Sequence, residues 1–184
     1  MPDISKAAFV HPTALLYGEI SIDTGVSVWP YCVARAEMWS VTIGGYTNLQ
    51  DFVMIHVGYE TPTIIGAYCS ITHRATLHGC TIGDNCLIGI GATVMDGAVI
   101  GENSIVAEHS LVRPGFVAPP NSVIAGVPAR IVKERDNRAA NRLNALYYHE
   151  NALAYARGGH RRWADPSFGA DLSARIQAGG ERGS

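Results

Sequence analysis

The 184-residue sequence contains no run of ~18 uncharged apolar residues, so it offers no membrane-spanning helix; the longest candidate, around 86–95, is loaded with glycine. The start, MPDISKAAFV, lacks a basic segment followed by an apolar one, which leaves a soluble cytoplasmic protein of one domain as the expectation. No CxxC spacing occurs among the four cysteines, which removes the usual zinc-cluster and redox signatures. An excess of positive charge is missing too: 14 Lys and Arg stand against 16 Asp and Glu, for a net charge of −2. The 8 basic residues of 130–162 read best as a helix packed on an acidic body, because no nucleic-acid recognition motif accompanies them. Charged residues reach only 16% and apolar ones 47%, so the chain can bury a large core.

What is present is a period of six. Ile82, Ile88, Val94, Ile100, Val106, Val112, Ala118 and Ile124 follow one another at that spacing, and a small residue stands four positions after most of them. Six matches neither the helix period nor strand alternation; it is the hexapeptide repeat. Extending the frame backward, with short irregularities between groups of three, yields three columns. The first is Ile22, Ile43, Ile65, Ile82, Ile100, Ala118; the second is Val28, Leu49, Ile71, Ile88, Val106, Ile124; the third is Ala34, Ile55, Leu77, Val94, Val112, Arg130. Three hexapeptides make one triangular coil, and proteins with this repeat form a left-handed parallel β-helix. The chain is therefore expected to be mainly β, with the β-helix over 1–132, a C-terminal α-helix over about 136–157 within a segment 133–163, and a flexible or extended tail over 164–184. Leu143, Leu146, Tyr147, Leu153 and Tyr155 are spaced for the packed face of that helix. A further, irregular coil is expected from about Val10 to Ser21.

The same frame places the polar residues. Cys32, Cys69 and Cys86 fall at small inward positions, while Cys80 is assigned to a corner. His56 follows Ile55 and His78 follows Leu77, so both point outward from the third column, one coil apart at ~4.8 Å, close enough to share a metal. His73 follows the second column on the coil of His78; with up to ~17 Å of extended chain and a corner between them, it points away from the pair. A third ligand then comes from another subunit. Arg35 lies beneath His56, and Asp51 lies beneath His73, where a carboxylate orients an imidazole. His11, His109, His149 and His160 have no such company.

From about Val10 to Lys133 the chain resembles the gamma-class carbonic anhydrases, a branch of the hexapeptide-repeat proteins. The segments TNLQDFVMIHV and ITHRATLHGCTIGD carry the resemblance. It implies a homotrimer with a metal at each subunit interface, zinc or alternatively iron or cobalt, and the reversible hydration of carbon dioxide. It further implies His56 and His78 as ligands from one chain and His73 as the ligand from its neighbour. Gln50 is implied to hydrogen-bond the attacking hydroxide, Asn48 to shape the pocket, and Arg35 and Asp51 to pair across the interface. Where the family reads Arg-Gly-Asp, this chain reads Arg35-Ala36-Glu37, and the loop VGYETPT holds Glu60 as its only carboxylate, so modest activity is the expectation. Two other readings follow from the repeat: a CoA-dependent acyltransferase or thioesterase, whose ending VIAGVPARIVK resembles, and a metal-binding trimeric scaffold of little activity.

Overall fold

The computed structural model describes residues 1–170; of the tail expected over 164–184, residues 171–184 lie outside the described residues. The chain winds as a parallel β-helix of about six turns, followed by one α-helix. The three columns read from the sequence are three rows of register partners. Ile22, Ile43, Ile65, Ile82, Ile100 and Ala118 pair in succession along one face. Val28, Leu49, Ile71, Ile88, Val106 and Ile124 do so along the second. Ala34, Ile55, Leu77, Val94 and Val112 do so along the third. Each row is buried from end to end, because every coil presents the same inward position to the coil above it. Two longer strands, Leu15–Ile22 and Val33–Ile43, run around a corner and belong to two faces at once.

Arg130 does not continue the third column. The strand Ala129–Glu134 turns back and pairs antiparallel with Ser122–Gly126, and Arg130 faces Ala125 there. This return covers the open edge of the last coil, whose backbone groups would otherwise be free to pair with another strand. Cys80, expected at a corner, points inward and is 1% exposed, because the five-residue step from Leu77 to Ile82 lets it fill the small position of that coil. Cys32, Cys69 and Cys86 are buried as expected, and all four thiols are free.

Corners require a left-handed residue, and Tyr46, Tyr68, Asn85, Asn103 and Asn121 supply it at successive turns with φ between 57° and 63°. Asparagine tolerates this region best among residues with side chains, and here the Asn85 amide also donates to Asn103 Oδ1 at 2.9 Å.

The α-helix Arg138–Tyr155 docks along this corner. Asp136 Oδ1 accepts from the Arg138 amide at its start, and Gly158, with φ 80°, follows its end. The expected Leu and Tyr face is not the one it buries most deeply. Asn141, Ala145, Asn151 and Ala152 are the buried positions, while Leu143, Leu146 and Leu153 are only half-buried. Alanines allow close approach to the ladder, and Asn141 Nδ2 donates to Asn85 O at 2.9 Å, satisfying a corner carbonyl. Arg142 lies over the Tyr68 ring, and His149 Nδ1 donates to Gly25 O at 3.0 Å. The tail expected from 164 is anchored at its start: Phe168 is 3% exposed and packs edge-on against Tyr147. No helix among the described residues is long and apolar enough to cross a membrane.

Candidate metal centre

His56 and His78 close the strands Met54–His56 and Thr76–His78 and are register partners. An aliphatic residue before each one points inward, so both imidazoles point outward on the same face. His56 Nδ1 and His78 Nε2 stand 3.1 Å apart. The outer nitrogens are also engaged: His56 Nε2 lies 3.1 Å from Glu37 Oε2, and His78 Nδ1 lies 2.9 Å from Asp96 Oδ1. Arg35, the register partner of His56, pairs with the Glu37 carboxylate. Desolvation pushes the Glu37 carboxyl up, but its own backbone hydrogen bond, the Arg35 guanidinium and His56 outweigh this and hold it below the usual range.

The bonds form one chain, Glu37 to His56 to His78 to Asp96. Carboxylates only accept, so each outer ring nitrogen carries the hydrogen of its neutral imidazole, and the two inner nitrogens face each other with lone pairs that a cation can bridge. Two ligands on a tetrahedral ion with bonds of ~2.0–2.1 Å stand ~3.3 Å apart, so the pair fits two corners of such a site with little adjustment.

His73 stands on another face, two residues after Ile71, with Nδ1 3.0 Å from Asp51 Oδ2 and Nε2 left as its outward atom. Among the described residues no group of three or more His, Cys, Asp or Glu side chains gathers into a complete ligand set within the chain. The structure therefore brings His56 and His78 together, and keeps His73 apart from them.

Gln50 and Asn48 are buried, Gln50 beside His73. Asn48 Nδ2 donates to Ser70 Oγ at 3.0 Å, and Gln50 Nε2 donates to Asn48 Oδ1 at 3.0 Å, so each amide is fixed by the next. Gln50 and His73 line one cavity of about 230 Å³ with Glu108, Asn144 and Tyr148. A second, of about 400 Å³, adjoins Asp51 and His73 and is walled by Trp29, Tyr148, Tyr155 and Trp163. Burial, with Asp51 nearby, pushes the Tyr148 phenol up to about 12, so it remains a hydrogen-bond donor near neutral pH. Within one chain Arg35 engages Glu37 and Asp51 engages His73; the two do not meet. Glu60 is exposed on the loop after His56 and makes none of the hydrogen bonds of either paired histidine.

Sequence reasoning missed Asp96 and Tyr148. Reading the third column one coil further, past His78 to Val94-Met95-Asp96, carries a signal for Asp96. For Tyr148 the sequence carries none, because the rotation of the helix about its axis is set by its docking.

The bacterial transferase hexapeptide family, described by six repeats, matches residues 79–114. A probable carbonic anhydrase of Methanocaldococcus jannaschii is 46% identical over 154 residues, covering 84% of this chain and 94% of that protein. The mitochondrial gamma carbonic anhydrase 1 of Arabidopsis thaliana is 41% identical over 139 residues, 72% of this chain, which spans 50% of that longer protein. Among solved structures, a hexapeptide transferase family protein from Anaplasma phagocytophilum superimposes with a TM-score of 0.68 at 32% identity, covering 81% of this chain and 90% of that one. Taken with the repeat and the fold, this similarity along almost the whole archaeal relative shows that the chain belongs to the gamma carbonic anhydrase-like family of hexapeptide-repeat proteins.

Proposed function

We propose that the protein is a metal-dependent gamma-class carbonic anhydrase, hydrating carbon dioxide reversibly at sites shared between the subunits of a homotrimer. The observation that carries this reading is the His56–His78 pair, 3.1 Å apart with a carboxylate behind each ring, while the equally oriented His73 faces elsewhere. His56 and His78 of one subunit and His73 of the next would hold the ion. Three imidazoles suit zinc, and the same nitrogens accept iron or cobalt. When bound, the metal supplies the Lewis acidity that makes water a nucleophile at neutral pH.

The chain's own groups do the rest. Gln50, pinned through Asn48, orients the incoming water, and its fixed amide needs no rearrangement to do so. Glu37, on the outer nitrogen of His56, is the carboxylate best placed to accept the proton released with bicarbonate. Glu60, on its exposed loop, is a second acceptor, and because it makes none of the hydrogen bonds of the paired rings, modest turnover that relies on buffer is expected. Cytoplasmic residence goes with the four unpaired, buried thiols.

The likeness in shape to a hexapeptide transferase favours an acyltransferase as the second reading. Metal analysis of protein purified without chelator, followed by stopped-flow carbon dioxide hydration, separates them. About one metal per chain, with activity lost on chelation, is the expected result. Metal-free protein that transfers acyl groups from CoA would replace the proposal, and metal-loaded protein inactive in both assays would leave a scaffold.

A further inference from the structure

We infer that Asp96 is the positioning residue of the His56–His78 pair, setting which nitrogen of His78 is free and where that ring points. The inference rests on the metal-site reading above. Asp96 belongs to the coil after His78: Val94 is the register partner of Leu77, so Met95 stacks on His78 and Asp96 begins the corner beyond. From there its Oδ1 reaches back to His78 Nδ1 at 2.9 Å. A carboxylate can only accept, so Nδ1 carries the hydrogen and Nε2 keeps its lone pair, directed at His56.

The surroundings of Asp96 form a niche for this carboxylate. A Cβ added at Gly58 or at Gly79 would run into Asp96 Oδ1 and Thr61 Oγ1, so glycine at both positions leaves the room the carboxylate occupies. The backbone on either side is pinned, with Gly115 N donating to Asp96 O at 2.8 Å and Gly97 N donating to Gly79 O at 2.7 Å. Thr61 Oγ1 is buried in the same niche without a hydrogen-bond partner. Glu37, behind the other ring, differs: it divides its carboxylate between His56 and Arg35. Among the described residues Asp96 is the one carboxylate that His78 meets, so the Nδ1 side of the ring is held by Asp96 while its Nε2 side faces His56.

Outer carboxylates of this kind change metal affinity by ~10–100-fold when removed. Zinc affinity of the full-length protein, measured by competition with a chromophoric chelator, should fall by that factor in Asp96→Ala. Asp96→Asn, whose amide oxygen still accepts from Nδ1–H, should fall less. Long-range ¹⁵N–¹H spectra of the metal-free protein should show His78 as the Nδ1–H form in wild type, and a loss of that preference in Asp96→Ala. Affinity and tautomer both unchanged in a folded Asp96→Ala would overturn the inference. If Asp96→Ala does not fold, Asp96→Leu decides, since it keeps the branched shape and accepts no hydrogen bond: wild-type zinc affinity overturns the inference and weakened affinity supports it. Wild-type protein that binds no zinc would instead overturn the metal-site reading, so the two failures are distinct.

Discussion

His56 and His78 are register partners whose ring nitrogens approach to 3.1 Å across 22 residues of chain. The β-helix makes this possible because residues one turn apart in the ladder are ~4.8 Å apart in space, whatever the loop between them does. The backbone spacing of the two histidines is therefore set by the ladder and not by the length of the loop over 57–62.

Replacing His56, His73 or His78 by Ala should abolish metal binding to the same degree, read by metal content after gel filtration. Mixing His73→Ala chains with His56→Ala chains should restore part of it, since an interface between the two variants can hold one complete ligand set. No recovery after proven subunit exchange would place all three ligands in one chain. Light scattering should give a trimer, and a metal-loaded monomer would refute the shared site.

Hydration should depend on added buffer, and the two acidic side chains should differ in effect. Glu37→Gln is expected to lower the rate about tenfold or more at low buffer and to recover at high buffer. Glu60→Gln should follow the same pattern with a smaller loss, because Glu60 sits on the exposed loop and not against His56. Equal rates for both variants at every buffer concentration would remove both from proton transfer.

Ile71→Ala should destabilise the fold by ~2–5 kcal/mol in urea denaturation, since Ile71 is fully buried between Leu49 and Ile88 in its column. The ladder above and below holds the cavity open, which puts the loss toward the upper end of that range. A loss below ~1 kcal/mol would mean that the coils collapse around the deletion.

Stability should fall as pH rises from about 9 to 12. Burial pushes the Cys32 and Cys80 thiols up to about 12 from an ordinary value of 9.0. In that window the unfolded chain has released these protons and the folded chain retains them, so each step up in pH favours unfolding; below 9 the two states hold them equally. The Tyr148 phenol, pushed to about 12, acts in the same direction above 10. Urea midpoints at pH 8 and pH 10.5 measure the loss, which the Cys32→Ala, Cys80→Ala double variant should reduce.

The sequence by itself determined the columns and the outward histidines. Its period of six is a local rule that each coil repeats, so Ile22, Ile43, Ile65, Ile82 and Ile100 could be stacked by counting. His56 and His78 followed from the residues before them. Tertiary structure alone decided what has no period. Ala129–Glu134 leaves the frame to cap the last edge, taking Arg130 out of its column. The helix turns Ala145 and Ala152 toward the ladder, and not its leucines, because close approach and the carbonyls of the corner outweigh apolar area there. That rotation brings Tyr148 beside His73. Asp96 reaches His78 around a corner because Gly58 and Gly79 leave it room. Each of these depends on two surfaces meeting, and a repeat encodes only one surface at a time.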